Sequence, residues 1–176
     1  MNIYVRIYKL YLRKIPIEQI SATTNIPLKT VRDVIARFEA KGAASKTESE
    51  MEEIGQPFLD YLVKKHHKYV VIEFSGMLSE QFAGKIKTAL KEALQMPGQI
   101  LAVKLENVEE VEDSAMKIIM DFKEKVVTWG KTAVLLSPSD PVEDYIQKNN
   151  VEKDTKVFGT QSAFEEYTYK STFDKN

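Results

Sequence analysis

The sequence predicts two parts, a small all-α module followed by an α/β domain with a mixed, mostly parallel sheet. Three observations carry that reading. Over the first 46 residues apolar side chains recur at the three-and-four spacing of helices. From residue 68 onward strand-length apolar runs alternate with helix-period segments, the pattern of a parallel sheet joined by helical crossovers. The charge changes sign between the two: residues 1–46 hold nine Lys and Arg against three acids, and the remainder holds 16 against 23. A chain of 176 residues has room for one module and one ordinary domain.

In the front module, residues 1–46, Ile3, Ile7, Leu10 and Tyr11 set the inner face of a first helix. It should end near Lys14–Ile15, because a residue before proline resists the α conformation. Pro16 suits the first turn of a second helix, with Ile17 and Ile20 inward. Thr23-Thr24-Asn25 reads as a turn, and Asn tolerates the left-handed conformation. Pro27 opens a third helix with Leu28, Val31, Ile35 and Phe38 inward, and Gly42 stops it. Two short helices joined by a tight turn, the second longer and more basic, form a helix-turn-helix. The stretch Ile17-Glu18-Gln19-Ile20-Ser21, Ile26-Pro27-Leu28-Lys29-Thr30-Val31-Arg32 and Phe38-Glu39-Ala40-Lys41-Gly42 resembles the winged-helix transcription regulators of bacteria.

Removing the inner face leaves Lys29, Thr30, Arg32, Asp33, Ala36 and Arg37 outward. Arg side chains on such a helix can reach guanine edges in a major groove. Lys29 and Thr30 near its start suit phosphates, and Lys41 and Lys46 flank the backbone. The DNA-binding candidates are therefore Lys29, Thr30, Arg32, Arg37 and Lys41. The alternative is a small bundle that docks on a partner or makes a homodimer. Residues 43–50 are rich in Ser and Glu, so any wing is short or absent.

Residues 47–67 read as a linker: Thr47-Glu48-Ser49-Glu50 as the boundary, then a helix from Pro57 to Lys65. His66 and His67 are the only histidines, and they read as favourable residues at that helix's negative end.

In residues 68–172, strands are expected over 69–74, 100–105, 132–136 and 156–158. Ser79 caps a helix with Phe82, Ile86, Leu90 and Leu94 inward. A loop spans Glu106 to Asp113. A second helix carries Met116, Ile119, Met120, Val126 and Val127, and Gly130 ends it. Asp140, Pro141 and Glu143 are the cap, first-turn proline and acid of a third, and Ser162 to Tyr169 form a last one.

Composition excludes several chemistries. There is no Cys, so disulfides, thiolate metal sites and cysteine nucleophiles are out. With two adjacent histidines, no histidine metal cage and no catalytic triad is expected. No Gly-rich phosphate loop follows a strand, so no cofactor is predicted. No acid/base pair or activated nucleophile is evident, so the chain reads as a non-enzyme. No run approaches the roughly 20 apolar residues of a membrane span, and the start lacks a signal-peptide core, so no membrane partner is expected and the cytoplasm is the expected location.

The back module resembles the STAS family, the anti-sigma factor antagonists. The resemblance rests on Ile72-Glu73-Phe74-Ser75-Gly76-Met77-Leu78, on Val103-Lys104-Leu105, on the acidic turn before the second helix, on Gly130-Lys131-Thr132 leading to Val134-Leu135-Leu136-Ser137-Pro138, and on residues 151–163. It implies a STAS-like mixed sheet and a protein partner of the anti-sigma factor or serine kinase kind. Partner-switching members carry Asp-Ser-Ser-Gly or Asp-Ser-Ala-Gly at the start of the second helix, the first Ser being phosphorylated. Matching letters places Asp113-Ser114-Ala115-Met116 there, with Ser114 as phosphosite and Met116 replacing Gly. Matching spacing places Glu112-Asp113-Ser114-Ala115 there, with Asp113 in the phosphoserine position. Together the two resemblances imply a bacterial regulator that couples DNA binding to a protein-interaction domain, or a pure partner-switching protein whose helical module serves docking.

Overall fold

A computed structural model describes residues 2–173. The chain divides into two compact units, Met1–Pro57 and Phe58–Asn176.

The helical unit contains α1 (Ile3–Leu12), α2 (Ile17–Thr24), α3 (Leu28–Ala40) and α4 (Glu48–Ile54). Asn2 caps α1 by accepting the Tyr4 N–H at 2.8 Å. Asn25 turns the chain between α2 and α3 with a left-handed φ of 55°. Thr47 and Glu50 start α4 with a reciprocal capping box. One apolar cluster joins all four helices: Val5, Ile7 and Tyr8 from α1, Ile20 from α2, Val31, Val34, Ile35 and Phe38 from α3, Met51 and Ile54 from α4. No strand, and so no β wing, occurs among the described residues of this unit.

The sheet unit contains β1 (Leu59–Lys65), β2 (Tyr69–Leu78), α5 (Ala83–Gln95), β3 (Ile100–Val111), α6 (Asp113–Thr128), β4 (Thr132–Leu136), α7 (Asp140–Lys148), β5 (Val157–Phe158) and α8 (Gln161–Phe173). The strands lie side by side in chain order, β1 antiparallel to β2 and every other pair parallel. The central strands are buried on both faces, which explains their unbroken apolar runs. Val70, Ile72, Leu101, Val103 and Leu135 pack under α5 and α6 with Ile86, Leu90, Met116, Ile119 and Val126. Tyr69, Val71, Ile100, Ala102, Val134 and Leu136 face the other way, onto Phe164 of α8.

The expected linker helix over residues 47–67 is corrected. Its first part is α4, whose Met51 and Ile54 belong to the helical core. Its second part is strand β1, in which Leu59, Tyr61 and Val63 turn to the sheet core while Asp60, Leu62 and Lys64 are exposed. The period is two, not the helical one. The histidines consequently sit in the β1–β2 turn, where His66 donates its N–H to the Tyr69 carbonyl at 2.8 Å and stacks on the Tyr69 ring. The expected loop over 106–113 is mostly strand: β3 runs on to Val111 against a β2 that reaches Leu78, with register shifts near Ser75 and Gly76. No side-chain cap comes from Ser79; a short turn over 80–82 separates it from α5. At α7 the cap position falls to Ser139, one residue before Asp140. No helix among the described residues is long and apolar enough to cross a membrane.

Candidate functional site

The start of α6 holds the sheet unit's candidate residues Glu112, Asp113 and Ser114. β3 leads straight into it, and the Glu112 N–H donates to the Leu78 carbonyl at 2.8 Å, fixing the helix entry to the end of β2. The Glu112 carboxylate accepts the Glu80 N–H at 2.7 Å. Its own carbonyl accepts from Ala115 and Met116, both at 3.1 Å, so Glu112 is the cap residue. Asp113 and Ser114 follow in the first turn, and all three side chains are exposed. Ala115 and Met116 turn inward and are fully buried. Met116, which stands at the Gly position of the resembling pattern when letters are matched, and Ala115, which stands there when spacing is matched, are thus both core residues.

The electrostatics are acidic. Burial, reinforced by the Glu112 charge, pushes the Glu110 carboxyl above the ordinary range. Burial and then the Asp113 charge push the Tyr145 phenol up. Tyr145 on α7 is therefore a neighbour that sequence reading missed, since 32 residues separate it from Asp113 and no local pattern links them. Negative side chains at a helix start are favourable, but a further negative charge placed among Glu110, Glu112 and Asp113 meets repulsion. Among the described residues no group of three or more His, Asp or Glu can hold a metal.

In the helical unit Lys29, Arg32, Asp33 and Lys41 are exposed. Two candidates are placed otherwise. Thr30 is 4% exposed and belongs to the inner face of α3. Arg37 is half-buried, its guanidinium 5.2 Å from the Tyr4 ring centre and 5.9 Å from that of Phe38. The cause is shared: the buried face of α3 includes Val34 as well as Val31, Ile35 and Phe38, so it is wider than the sequence stripe. Joining α4 also brings Glu48, Glu50, Glu52 and Glu53 into the unit, so residues 1–57 hold nine bases and seven acids. Glu48 pairs with Lys9, and Glu50 with Lys46 at 3.5 Å.

A five-stranded, mostly parallel sheet with helices on both faces defines the class of fold. The fold is that of anti-sigma factor antagonists. An anti-sigma factor antagonist from Mycobacterium paratuberculosis superposes with TM-score 0.59 at 17% identity, over 64% of this chain and 95% of that one. A putative anti-sigma factor antagonist from Thermotoga maritima gives TM-score 0.55 at 18% identity, over 62% and 94%. An anti-sigma-factor antagonist (STAS) domain protein from Planctomyces limnophilus gives TM-score 0.54 at 16% identity, over 62% and 98%. No family model matches the sequence, and no curated protein matches it. At these identities the likeness is one of fold.

Proposed function

We propose that the chain is a non-enzymatic bacterial regulator whose STAS-like unit binds a protein partner of the anti-sigma factor or serine kinase kind through the start of α6. The observation that carries this reading is the exposed run Glu112-Asp113-Ser114 opening a 16-residue helix, in a fold shared with anti-sigma factor antagonists. Such a surface works by charge. A phosphoryl group on Ser114 would add about −1.5 to −2 charges there and repel an acidic partner. Asp113 instead supplies a permanent, smaller charge that cannot switch. The test is incubation of the full chain with an anti-sigma-type serine kinase and ATP, read by mass spectrometry. Phosphate on Ser114 that disappears in Ser114→Ala supports switching; complex formation without any phosphate assigns Asp113 as the fixed acid. Absence of both phosphate and complex would sink the reading.

A second reading concerns the helical unit as a helix-turn-helix that binds DNA, and exposed Lys29 and Arg32 on the helix after the Asn25 turn favour it. The contacts then fall to Lys29, Arg32 and Lys41. Retardation of genomic DNA fragments at low salt, weakened by Lys29→Ala with Arg32→Ala, is the expected result. No retardation leaves this unit a docking or dimerising module.

A further inference from the structure

A groove of about 500 Å³ runs between α5 and α6. Leu90 and Phe122 are its buried floor, and Leu94 and Ile118 stand half-buried beside them. Lys87, Lys91 and Lys125 form its rim with a single acid, Asp121, and all four are exposed. On α6 and its C-terminal cap, Ile118, Phe122, Lys125 and Trp129 recur at spacings of four, three and four, so they follow one stripe of the helix. Leu94 is tied to the chain after α6 by Lys131, whose Nζ donates to the Leu94 and Met96 carbonyls at 2.9 and 2.7 Å. Trp129 is 64% exposed.

The rim lysines differ from the ion-paired lysines of the same unit, while Lys65, Lys117, Lys148 and Lys153, outside the groove, share their unpaired state. Lys64, Lys85 and Lys104 each hold a carboxylate. The ammonium groups of Lys87, Lys91 and Lys125 have no hydrogen-bond or ion-pair partner among the described residues. This occurs in a unit whose sequence, residues 58–176, has more acids than bases, 19 against 16.

We propose that this groove docks an acidic segment of a partner protein that carries one large apolar anchor. The anchor seats on Leu90, Leu94, Ile118 and Phe122, and flanking carboxylates meet the three lysines. Charge selects the occupant: a neutral or basic segment would press apolar surface against three ammonium groups and strip their water without replacing it. A second copy of this chain fits poorly. Each of its exposed large apolar residues, Leu12, Leu62, Val127, Trp129 and Tyr169, has a Lys or Arg within two positions. The groove lies about one to three helical turns beyond Asp113 and Ser114. It is a separate contact surface and stands whatever happens at the start of α6.

The experiment selects a display library of random peptides on the full chain, then titrates the enriched peptides against it. Trp129 is the one tryptophan in the sequence and lies about one helical turn beyond the lining residue Lys125, so its emission reports a peptide that extends past that lysine. The expected result is enrichment of an apolar residue flanked by Asp or Glu, with a saturable change in Trp129 emission. The triple variant Lys87→Glu, Lys91→Glu, Lys125→Glu should weaken binding at least tenfold, and Lys87→Gln, Lys91→Gln, Lys125→Gln by less. Circular dichroism checks that both variants fold. Peptides without acids, affinity unchanged by charge reversal, or no enrichment at all would overturn the proposal. So would lysine-dependent binding to phosphatidylglycerol vesicles with no peptide enriched, which would make the groove a membrane contact. A partner lost on changing Asp113 or Ser114 while peptide binding persists leaves this inference standing.

Discussion

The helical unit and the sheet unit bury their apolar residues in different ways. In the helical unit each helix contributes one stripe to a single cluster, so every position near the stripe edge is decided by how neighbouring helices crowd it. In the sheet unit the strands bury both faces, into two clusters, and the edge problem falls only on the helices. Side chains at a helix-stripe edge, such as Thr30 and Arg37, are where a surface prediction goes wrong. Side chains in an unbroken strand run are not exposed to that error.

The largest expected effects come from the two cores. Phe38 and Phe74 are both fully buried, one in each unit. Phe38→Ala and Phe74→Ala should each cost about 3–5 kcal/mol, through lost transfer energy and the cavity left behind. Amide hydrogen exchange distinguishes the units. Phe38→Ala should lower protection over α1 to α4, and Phe74→Ala over the sheet. Equal loss in both units after either substitution would make them one cooperative body and end the comparison.

Two left-handed glycines sharpen it. Gly76 has φ of 99°, and a Cβ there would lie 2.4 Å from the Phe58 carbonyl oxygen. Gly42 has φ of 62° with open space around it. Gly76→Ala therefore combines backbone strain with a backbone clash and should cost about 3 kcal/mol or more, whereas Gly42→Ala meets strain alone, about 1 kcal/mol. Urea midpoints measure both. A Gly42 variant as damaged as the Gly76 variant would show that the stop after α3 matters more than its empty surroundings imply.

Much of this architecture was legible in advance. The strands at 69–74, 100–105 and 132–136 announce themselves through apolar runs that only two-sided burial explains. The order of helices and the turns at Asn25 and Gly42 follow from proline, asparagine and glycine placement. β1 was missed because Phe58 and Leu62 sit at helical spacing, while the period-two set Leu59, Tyr61 and Val63 is interrupted by the apolar Leu62. The strand portion of residues 106–111 was missed because Glu106, Asn107, Glu109 and Glu110 look like a loop; pairing with β2 past its bulges overrides that composition. At the start of α6, the cluster of Glu112, Asp113 and Ser114 was readable, but the nearness of Tyr145 is tertiary and has no sequence signature.

A smaller effect separates two arginines on α3. Arg37 lies over the Tyr4 ring and is half-buried, whereas Arg32 is exposed. Arg37→Ala should lower stability by about 1 kcal/mol through lost packing and cation–π contact, and Arg32→Ala by less than about 0.5 kcal/mol. Should the helical unit bind DNA, as the second reading has it, a retardation assay should reverse the ranking, with Arg32→Ala the more damaging. Thermal melts and gel retardation on the same two proteins supply the check. Equal melting temperatures would mean the ring contact contributes nothing to the fold.

The smallest effect is a pH dependence of opposite sign in the two units. Lys9 holds the Glu48 carboxyl below its ordinary range, and the Thr47 N–H and hydroxyl do the same for Glu50. Such groups stabilise the folded state above their unfolded pKa, and the contribution is lost as pH falls through the lowered folded value. Glu110 in the sheet unit is raised, chiefly by burial. Its ionised form is disfavoured in the folded state, so that penalty is present above the raised value and is relieved as pH falls through it toward the unfolded one. Between neutrality and about pH 4.3, the ordinary glutamate value, Glu110 should therefore make the sheet unit slightly more stable, while the losses from Glu48 and Glu50 come mainly below that point. Glu166, lowered by Lys170 on α8, acts with the helical-unit glutamates, so the Glu110 contribution is isolated by comparison with Glu110→Gln. Exchange protection in each unit across this pH series is the measurement. Salt near 1 M should shrink the Glu48 contribution by screening its exposed ion pair and leave that of Glu110, which comes from burial, nearly intact. A sheet unit whose stability responds to acid identically with and without Glu110 would show that the carboxyl is wetter than its half-buried position near the end of β3 implies.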